Sequence, residues 1–208
     1  MASNTRQRLT ESARQRFYRD GFRNVGLDQI LDDVGISRTA FYKHFESKDD
    51  LMLEVLEAVN RWVQDEFRTM LREVGGRSAA GQLRALFDVT GRLIEAQEED
   101  FHGCIFVNAA MEFPLPHDPA HEAAARAKRA IEDVVHDLAE RAGVADPQAL
   151  AEEMCLIMEG VYVTRHVSGR RDAIDIARRI ADRVLAAHLG DDAARTLPLI
   201  RTRLTRTA

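Results

Sequence analysis

Apolar residues return every three or four positions along almost the whole chain, and no stretch sustains the strict alternation of a half-buried strand. That period commits the backbone to helices, so an all-α fold of about nine helices is expected. Near the start Leu9, Ala13 and Phe17, four apart, make one face of a short helix, with Asn4 as its cap and Gly21 just past its end. A second helix spans about Leu27 to Val34 and stops at Gly35. A third begins after Ser37, whose hydroxyl can accept from exposed amides, and ends near His44.

Ser47 caps the next segment, in which Leu51, Val55, Val59, Trp62, Met70 and Val74 carry a helix of about 40 Å to Gly75-Gly76. Leu83, Leu86, Phe87, Leu93 and Ile94 mark another helix, and Gly103 separates it from a shorter apolar piece, Cys104 to Phe113. Pro114 and Pro116 then interrupt regular structure. Asp118-Pro119 and Asp146-Pro147 each set an acidic cap before a proline whose missing amide hydrogen costs nothing at the first helical position. They predict helices over 119–142 and 147–168, ended by Gly143 and Gly169. A last helix is expected over 172–188; beyond Gly190 the pattern is weak. The expected division is a three-helix unit over 1–47 and a larger helical body over 48–208.

No apolar stretch approaches the roughly 20 residues a membrane-crossing helix needs, and Met1 to Thr10 lacks the apolar run of a secretory leader. A cytoplasmic location is expected. Cys104 and Cys155 are too few for a disulfide framework and lack zinc-site spacing, so they read as reduced thiols. No cofactor is implied, and no nucleophile with a base, acid pair or phosphate-cradling glycine loop stands at an enzymatic spacing. His117 and His121, four apart beside Asp118 and Glu122, come nearest to a metal pair, but Pro116 and Pro119 leave the local geometry open, and solvated histidines near a helix start are the reading preferred. The net charge of −5 is unevenly spread: residues 1–48 hold nine Lys/Arg against six Asp/Glu, a net +3, which leaves −8 for the remainder.

The basic end also holds the most informative block, Gly-Ile-Ser-Arg-Thr-Ala-Phe-Tyr-Lys-His-Phe over 35–45, followed by Glu-Ser-Lys-Asp-Asp-Leu over 46–51. Gly35 suits a left-handed turn, Ile36 packs into the angle between two helices, and Phe41 and Phe45 bury one face of the second. Arg38, Thr39, Tyr42 and Lys43 remain on the other face. Such a face can be a solvated surface, or it can enter a major groove and meet base edges.

With its Gly-Ile-Ser-Arg, Phe-Tyr-Lys-His-Phe and Ser-Lys-Asp-Asp-Leu segments, the block from Gly21 to Leu51 closely resembles the TetR family of one-component repressors. The resemblance implies a DNA-binding helix-turn-helix, a small-molecule effector and a homodimer on a near-palindromic operator. Carried over by position, Ser37, Arg38, Thr39 and Ala40 would face the DNA, with Arg38, Thr39 and Ala40 toward bases. Tyr42 and His44 would contact phosphates or base methyls, Lys43 either, and Lys48 a phosphate. Gly26 stands where the family often has a hydroxyl residue that touches phosphate, leaving only its amide to offer.

The resemblance further implies dimerisation through the helices at about 147–168 and 172–188, which pack as a four-helix bundle with their mates. In the first of these, apolar residues wrap too far round for a single solvated face: Leu150, Met154, Ile157 and Val161 on one side, Cys155, Met158 and Tyr162 on another. Gly160 would let helices approach closely or is simply tolerated. For an effector cavity the candidates are Phe67, Met70, Phe87, Cys104, Asn108, Met111, Phe113, Met158 and Tyr162, which would suit an apolar or aromatic compound; each also reads as ordinary core. Cys104, after Gly103 and near a helix start, is alternatively a sensor of electrophiles or oxidants, or an inert thiol. A DNA-binding dimer without effector is the remaining alternative.

Overall fold

The computed structural model describes residues 2–97 and 100–189. Among them the chain forms nine helices and no strand: α1 (Ala2–Asp20), α2 (Leu27–Val34), α3 (Arg38–Phe41), α4 (Lys48–Gly75), α5 (Ala79–Glu95), α6 (Ile105–Glu112), α7 (Pro119–Arg141), α8 (Pro147–Ser168) and α9 (Ala173–Leu189). The segment beyond Gly190 lies outside the described residues.

Local chemistry sets most of the boundaries. Ser37, Ser47, Ser78, Asp118 and Asp146 each accept a hydrogen bond from an amide in the first turn they cap, and Pro119 and Pro147 occupy the first helical position. The Asn4 cap is the exception. Asn4 lies inside α1, which already begins at Ala2, and beyond it Arg6 is held by the His44 carbonyl and Glu54.

The apolar side chains gather into two cores. The first joins Leu9, Phe17, Phe22, Ile30, Phe41 and Phe45 of the N-terminal helices to Leu51 and Val55 of α4, and also to Ile105, Phe106 and Ala109 of α6. The second is built from Phe67 and Leu71 of α4, Leu83, Leu86 and Phe87 of α5, Val134 and Leu138 of α7, Leu150, Met154 and Met158 of α8, and Leu185 of α9. At about 1.5–3 kcal/mol for each large side chain fully withdrawn from water, these contacts dominate the favourable energy of folding.

α4 and α7 run through both cores. α7 meets the first with Ala120, Ala123, Ala124 and Ala127, small enough for α6 to lie close, and the second with Val134, Val135 and Leu138. Along α4 no residue between Leu56 and Phe67 is buried, and Trp62 is 54% exposed rather than part of an inner stripe. The reason is geometric: α4 leaves one core before it reaches the other, and its middle turns face the seam or solvent. Asn60 and Gln64 hydrogen-bond to each other there.

The turn from α4 into α5 depends on missing side chains. A Cβ on Gly75 would stand 2.5 Å from the Gln82 Cα, and one on Gly81 would overlap the Gly75 carbonyl oxygen. Backbone therefore packs directly on backbone between α4 and α5.

Candidate nucleic-acid interface

Gly35 ends α2 at φ 70° and ψ 44°, a left-handed conformation that glycine adopts without steric cost. Its amide reaches the Leu31 and Asp32 carbonyls and the Ile36 amide reaches Leu31, closing the paired hydrogen bonds of a Schellman turn. Ile36 is half-buried against the first core. Ser37 then accepts from the Ala40 amide at 3.2 Å and starts α3. After Phe41 the helix tightens, with His44 N–H donating to the Phe41 carbonyl at 2.8 Å.

The inner face of this segment is pinned by aromatic contacts. Phe41 and Phe45 are fully buried, and their rings stack with centroids 5.7 Å apart. Arg6 lies over the Phe45 ring at 4.2 Å, donates to the His44 carbonyl at 2.5 Å and pairs with Glu54 at 2.8 Å. Arg8 does the same for α2, donating to the Val34 carbonyl at 2.5 Å. Two arginines counted from the sequence only as basic charge thus bind the carbonyl ends of the helix-turn-helix.

Arg38, Thr39, Tyr42 and Lys43 share the exposed side, and Ala40 and His44 are half-buried beside them. The Tyr42 ring stands edge-on to Phe41 at 5.3 Å. The Lys43 ammonium has no hydrogen-bond or ion-pair partner among the described residues, and Arg38 is held bidentately by Asp28 at 2.9 and 2.6 Å. The amide of Gly26 donates to the Gln29 side chain at 2.8 Å, so the one group that glycine could offer a phosphate is already engaged.

Lys48 has a role that spacing did not reveal. Its ammonium donates to the Phe22 and Val25 carbonyls at 2.7 and 2.6 Å, tying the first turn of α4 to the loop before α2. Burial pushes its pKa below the ordinary lysine value.

Residues 9–55 match the profile described as bacterial regulatory proteins, tetR family, and residues 79–181 match the tetracyclin repressor-like C-terminal domain. The chain belongs to the TetR family. The transcriptional regulator YjdC of Escherichia coli is 24% identical over 165 residues, 79% of this chain and 85% of that protein. SCO4454, a TetR-family regulator from Streptomyces coelicolor, superposes with a TM-score of 0.79 at 28% identity, over 90% of this chain and 97% of its own. A TetR-family regulator from Agrobacterium tumefaciens, 19% identical, shares the fold with a TM-score of 0.75 over 88% of this chain and 98% of that one. As a TetR-family transcriptional regulator the chain is a DNA-binding protein, its helix-turn-helix formed by α2 and α3; its family and structural neighbours are regulators rather than enzymes.

The remaining helices carry the match to the C-terminal domain, and among them the structure scatters the cavity candidates. Phe67, Phe87 and Met158 are buried in the second core, with Met70 and Tyr162 half-buried against it; Cys104 and Phe113 pack on the first. Asn108 donates to the His102 carbonyl at 2.8 Å, and Met111 is 76% exposed. A cavity of about 360 Å³ between α7 and α8 is lined by Lys128, Ile131, Glu132, Cys155, Met158 and Glu159 among others. Another of about 240 Å³ lies between α5, α8 and α9, lined by Gly91, Ile94, Val161, Arg165 and Arg170 among others. Of the nine candidates only Met158 reaches either.

The polar centre of the body was not visible in the sequence. Lys128 forms an ion pair with Glu159, and its ammonium lies 4.0 Å from the Cys104 sulfur. Burial alone would lower the Lys128 pKa, but Cys104 and Glu159 outweigh it and the net shift is upward. Burial pushes the Cys155 thiol up to about 12. Only the convergence of α6, α7 and α8 brings these groups together. His121 Nδ1 lies 2.9 Å from the Phe113 carbonyl oxygen, and His117 is exposed.

Proposed function

We propose that this TetR-family regulator is a cytoplasmic repressor that binds a near-palindromic operator as a homodimer and is released when a small effector enters its body. In this reading residues 1–47 are the DNA-reading unit and 48–208 the responding one. Arg38, Thr39 and Ala40 meet base edges from the major groove, with Ser37 at the head of the helix. Tyr42, His44 and Lys43 reach phosphates or nearby base methyls, and Lys48 offers its remaining N–H to a phosphate.

The observation that carries the coupling is the attachment of α6 to the helix-turn-helix. The Glu112 carboxylate, at the end of α6, accepts from the Phe22 and Arg23 amides at 2.9 and 2.8 Å. At the other end Tyr18 of α1 donates to the Gly103 carbonyl and accepts from the His102 amide, both at 3.0 Å. A ligand that favours a shifted α6 thereby favours a shifted α1 and α2, which is what release requires. The effector we place in the cavity between α7 and α8, where Ile131 and Met158 line the space beside the Lys128–Glu159 pair, so a mostly apolar compound with one polar handle fits best. The test is fluorescence anisotropy of a duplex selected from a random pool, titrated with apolar and aromatic compounds. Saturable release at unchanged protein stability supports the reading, and a panel that binds the protein without moving DNA affinity refutes it.

For the homodimer the supporting feature is the outer face of α8. Leu156, Gly160, Val163 and Val167 follow a four-three-four spacing; Leu156 and Val167 are 74% and 76% exposed, and a Cβ on Gly160 would meet nothing. An apolar stripe with a bare backbone at its centre suits a second copy packed through α8 and α9. Leu156→Glu should give a monomer by light scattering and lose operator affinity; a dimer retained by this variant would refute the interface. A second reading keeps Cys104 as an electrophile or oxidant sensor, favoured by the Lys128 ammonium beside its sulfur. Release by oxidants that persists in Cys104→Ser would remove it.

A further inference from the structure

Arg38 opens α3 and points to solvent, with its guanidinium engaged by a carboxylate of α2. Nε donates to Asp28 Oδ1 at 2.9 Å and Nη2 to Oδ2 at 2.6 Å, a two-bond fork with both partners exposed. Asp28 sits in the first turn of α2, whose opposite face, Ile30, Leu31 and Val34, is buried in the first core. The carboxylate is therefore mounted on a rigid support, and it fixes the plane of the arginine fork.

Counting donors shows what is left. A guanidinium carries five N–H groups; Asp28 takes the Nε–H and one Nη2–H. The other Nη2–H and both Nη1–H remain, and the edge made by Nη1 and Nη2 holds two parallel donors. That edge matches the O6 and N7 acceptors of guanine in the major groove. We propose that Asp28 is a positioning residue for sequence recognition: it occupies the inner edge of Arg38 so that the outer edge reads one guanine in each half-site.

The inference rests on the reading of α3 as the DNA-reading helix and adds a residue to which position-by-position matching gave no role. Its physical basis is preorganisation. A long side chain already held in its binding plane loses less freedom on docking, and a fork held at one edge cannot rotate to satisfy a different base. The two partners favour each other's charged forms: hydrogen bonding to Arg38 holds the Asp28 carboxyl below its ordinary range, and hydrogen bonding to Asp28 raises Arg38. An acidic residue on a DNA-facing surface repels phosphate, so its removal on electrostatic grounds alone would tighten binding to every sequence equally.

The experiment is selection of duplexes from a random pool by the full-length protein, repeated with Asp28→Ala, Arg38→Ala and the double variant, with affinities then measured on the recovered consensus and its single-base changes. Wild type should enrich one G·C pair per half-site whose replacement weakens binding roughly tenfold or more. Arg38→Ala should lose preference at that pair, Asp28→Ala should lose most of it at the same pair, and the double variant should lose no more than Arg38→Ala alone. Unchanged far-ultraviolet circular dichroism and a thermal midpoint within a few degrees of wild type are expected, because the pair is exposed. Asp28→Ala that keeps the guanine preference while binding all duplexes more tightly would overturn the proposal, as would loss of preference at a different base pair, which would make Asp28 a reader in its own right. Absence of any enriched sequence with wild-type protein would instead remove the underlying reading of α3.

Discussion

Replacing Glu112 by alanine should loosen the helix-turn-helix from the body without touching a buried apolar side chain. The carboxylate accepts two backbone amides across about 90 residues of sequence, Phe22 N–H at 2.9 Å and Arg23 N–H at 2.8 Å. Hydrogen bonds to a charged group contribute about 1.5–3 kcal/mol each, but the Arg23 amide is exposed and water will replace its partner, so the pair is worth about 2 kcal/mol. At about 2–4 °C per kcal/mol for a chain of this size, the thermal midpoint should fall by about 4–8 °C. The same substitution should speed hydrogen exchange at the Phe22 and Arg23 amides selectively, and Glu112→Gln, which keeps an acceptor oxygen, should fall between alanine and wild type. Circular dichroism melts and amide exchange followed by NMR read both effects. A midpoint within a degree of wild type, with unaltered exchange at the two amides, would refute the claim that Glu112 ties α6 to the α1–α2 turn.

Lys48→Ala should lower stability to urea by about 2 kcal/mol, since it deletes two charge-assisted bonds to the Phe22 and Val25 carbonyls; the phosphate contact we propose would add a drop of about one in the salt dependence of DNA binding. Gly81→Ala should destabilise by about 1–3 kcal/mol, because its Cβ would meet the Gly75 carbonyl oxygen and backbone must shift; a melt unchanged from wild type would contradict that packing. Glu54 has its pKa lowered: burial acts to raise it, but hydrogen bonds from Arg6 and Arg61 prevail. Because the folded-state value is depressed, its contribution is complete above the ordinary carboxylate range and is lost as pH falls through the folded value. Wild type should therefore exceed Glu54→Gln in stability at neutral pH and converge with it in acid, once the pH has fallen below the depressed folded-state value, and a gap that persists in strong acid would refute the linkage.

The helices were legible because their signals are local. Ser37, Ser47, Asp118-Pro119 and Asp146-Pro147 act within one turn, Gly35 and Gly169 turn the chain by their own backbone freedom, and α8 accordingly runs over the anticipated 147–168. The exposed face of α3 was legible for the same reason: Phe41 and Phe45 are four apart, so burying them turns Arg38, Thr39, Tyr42 and Lys43 outward. Where a side chain's fate hangs on a distant partner, the pattern failed. Asn4 reads as a cap yet lies inside α1, and Trp62 belongs to the apolar series of α4 yet is exposed where that helix passes between two cores.

The chain of residues by itself determined that this protein is helical, where most of its helices start and stop, and which short segment resembles a DNA reader. Only the tertiary structure decided how the charges are spent: Arg6 and Arg8 on helix-end carbonyls, Lys48 on the loop before α2, Arg38 on Asp28, Lys128 on Glu159. These partners lie ten to nearly fifty residues away. Caps and periods act within about five residues, whereas a charge pairs with whatever the packed helices bring within reach, and that depends on helix crossings which the periodicity of a single helix does not encode.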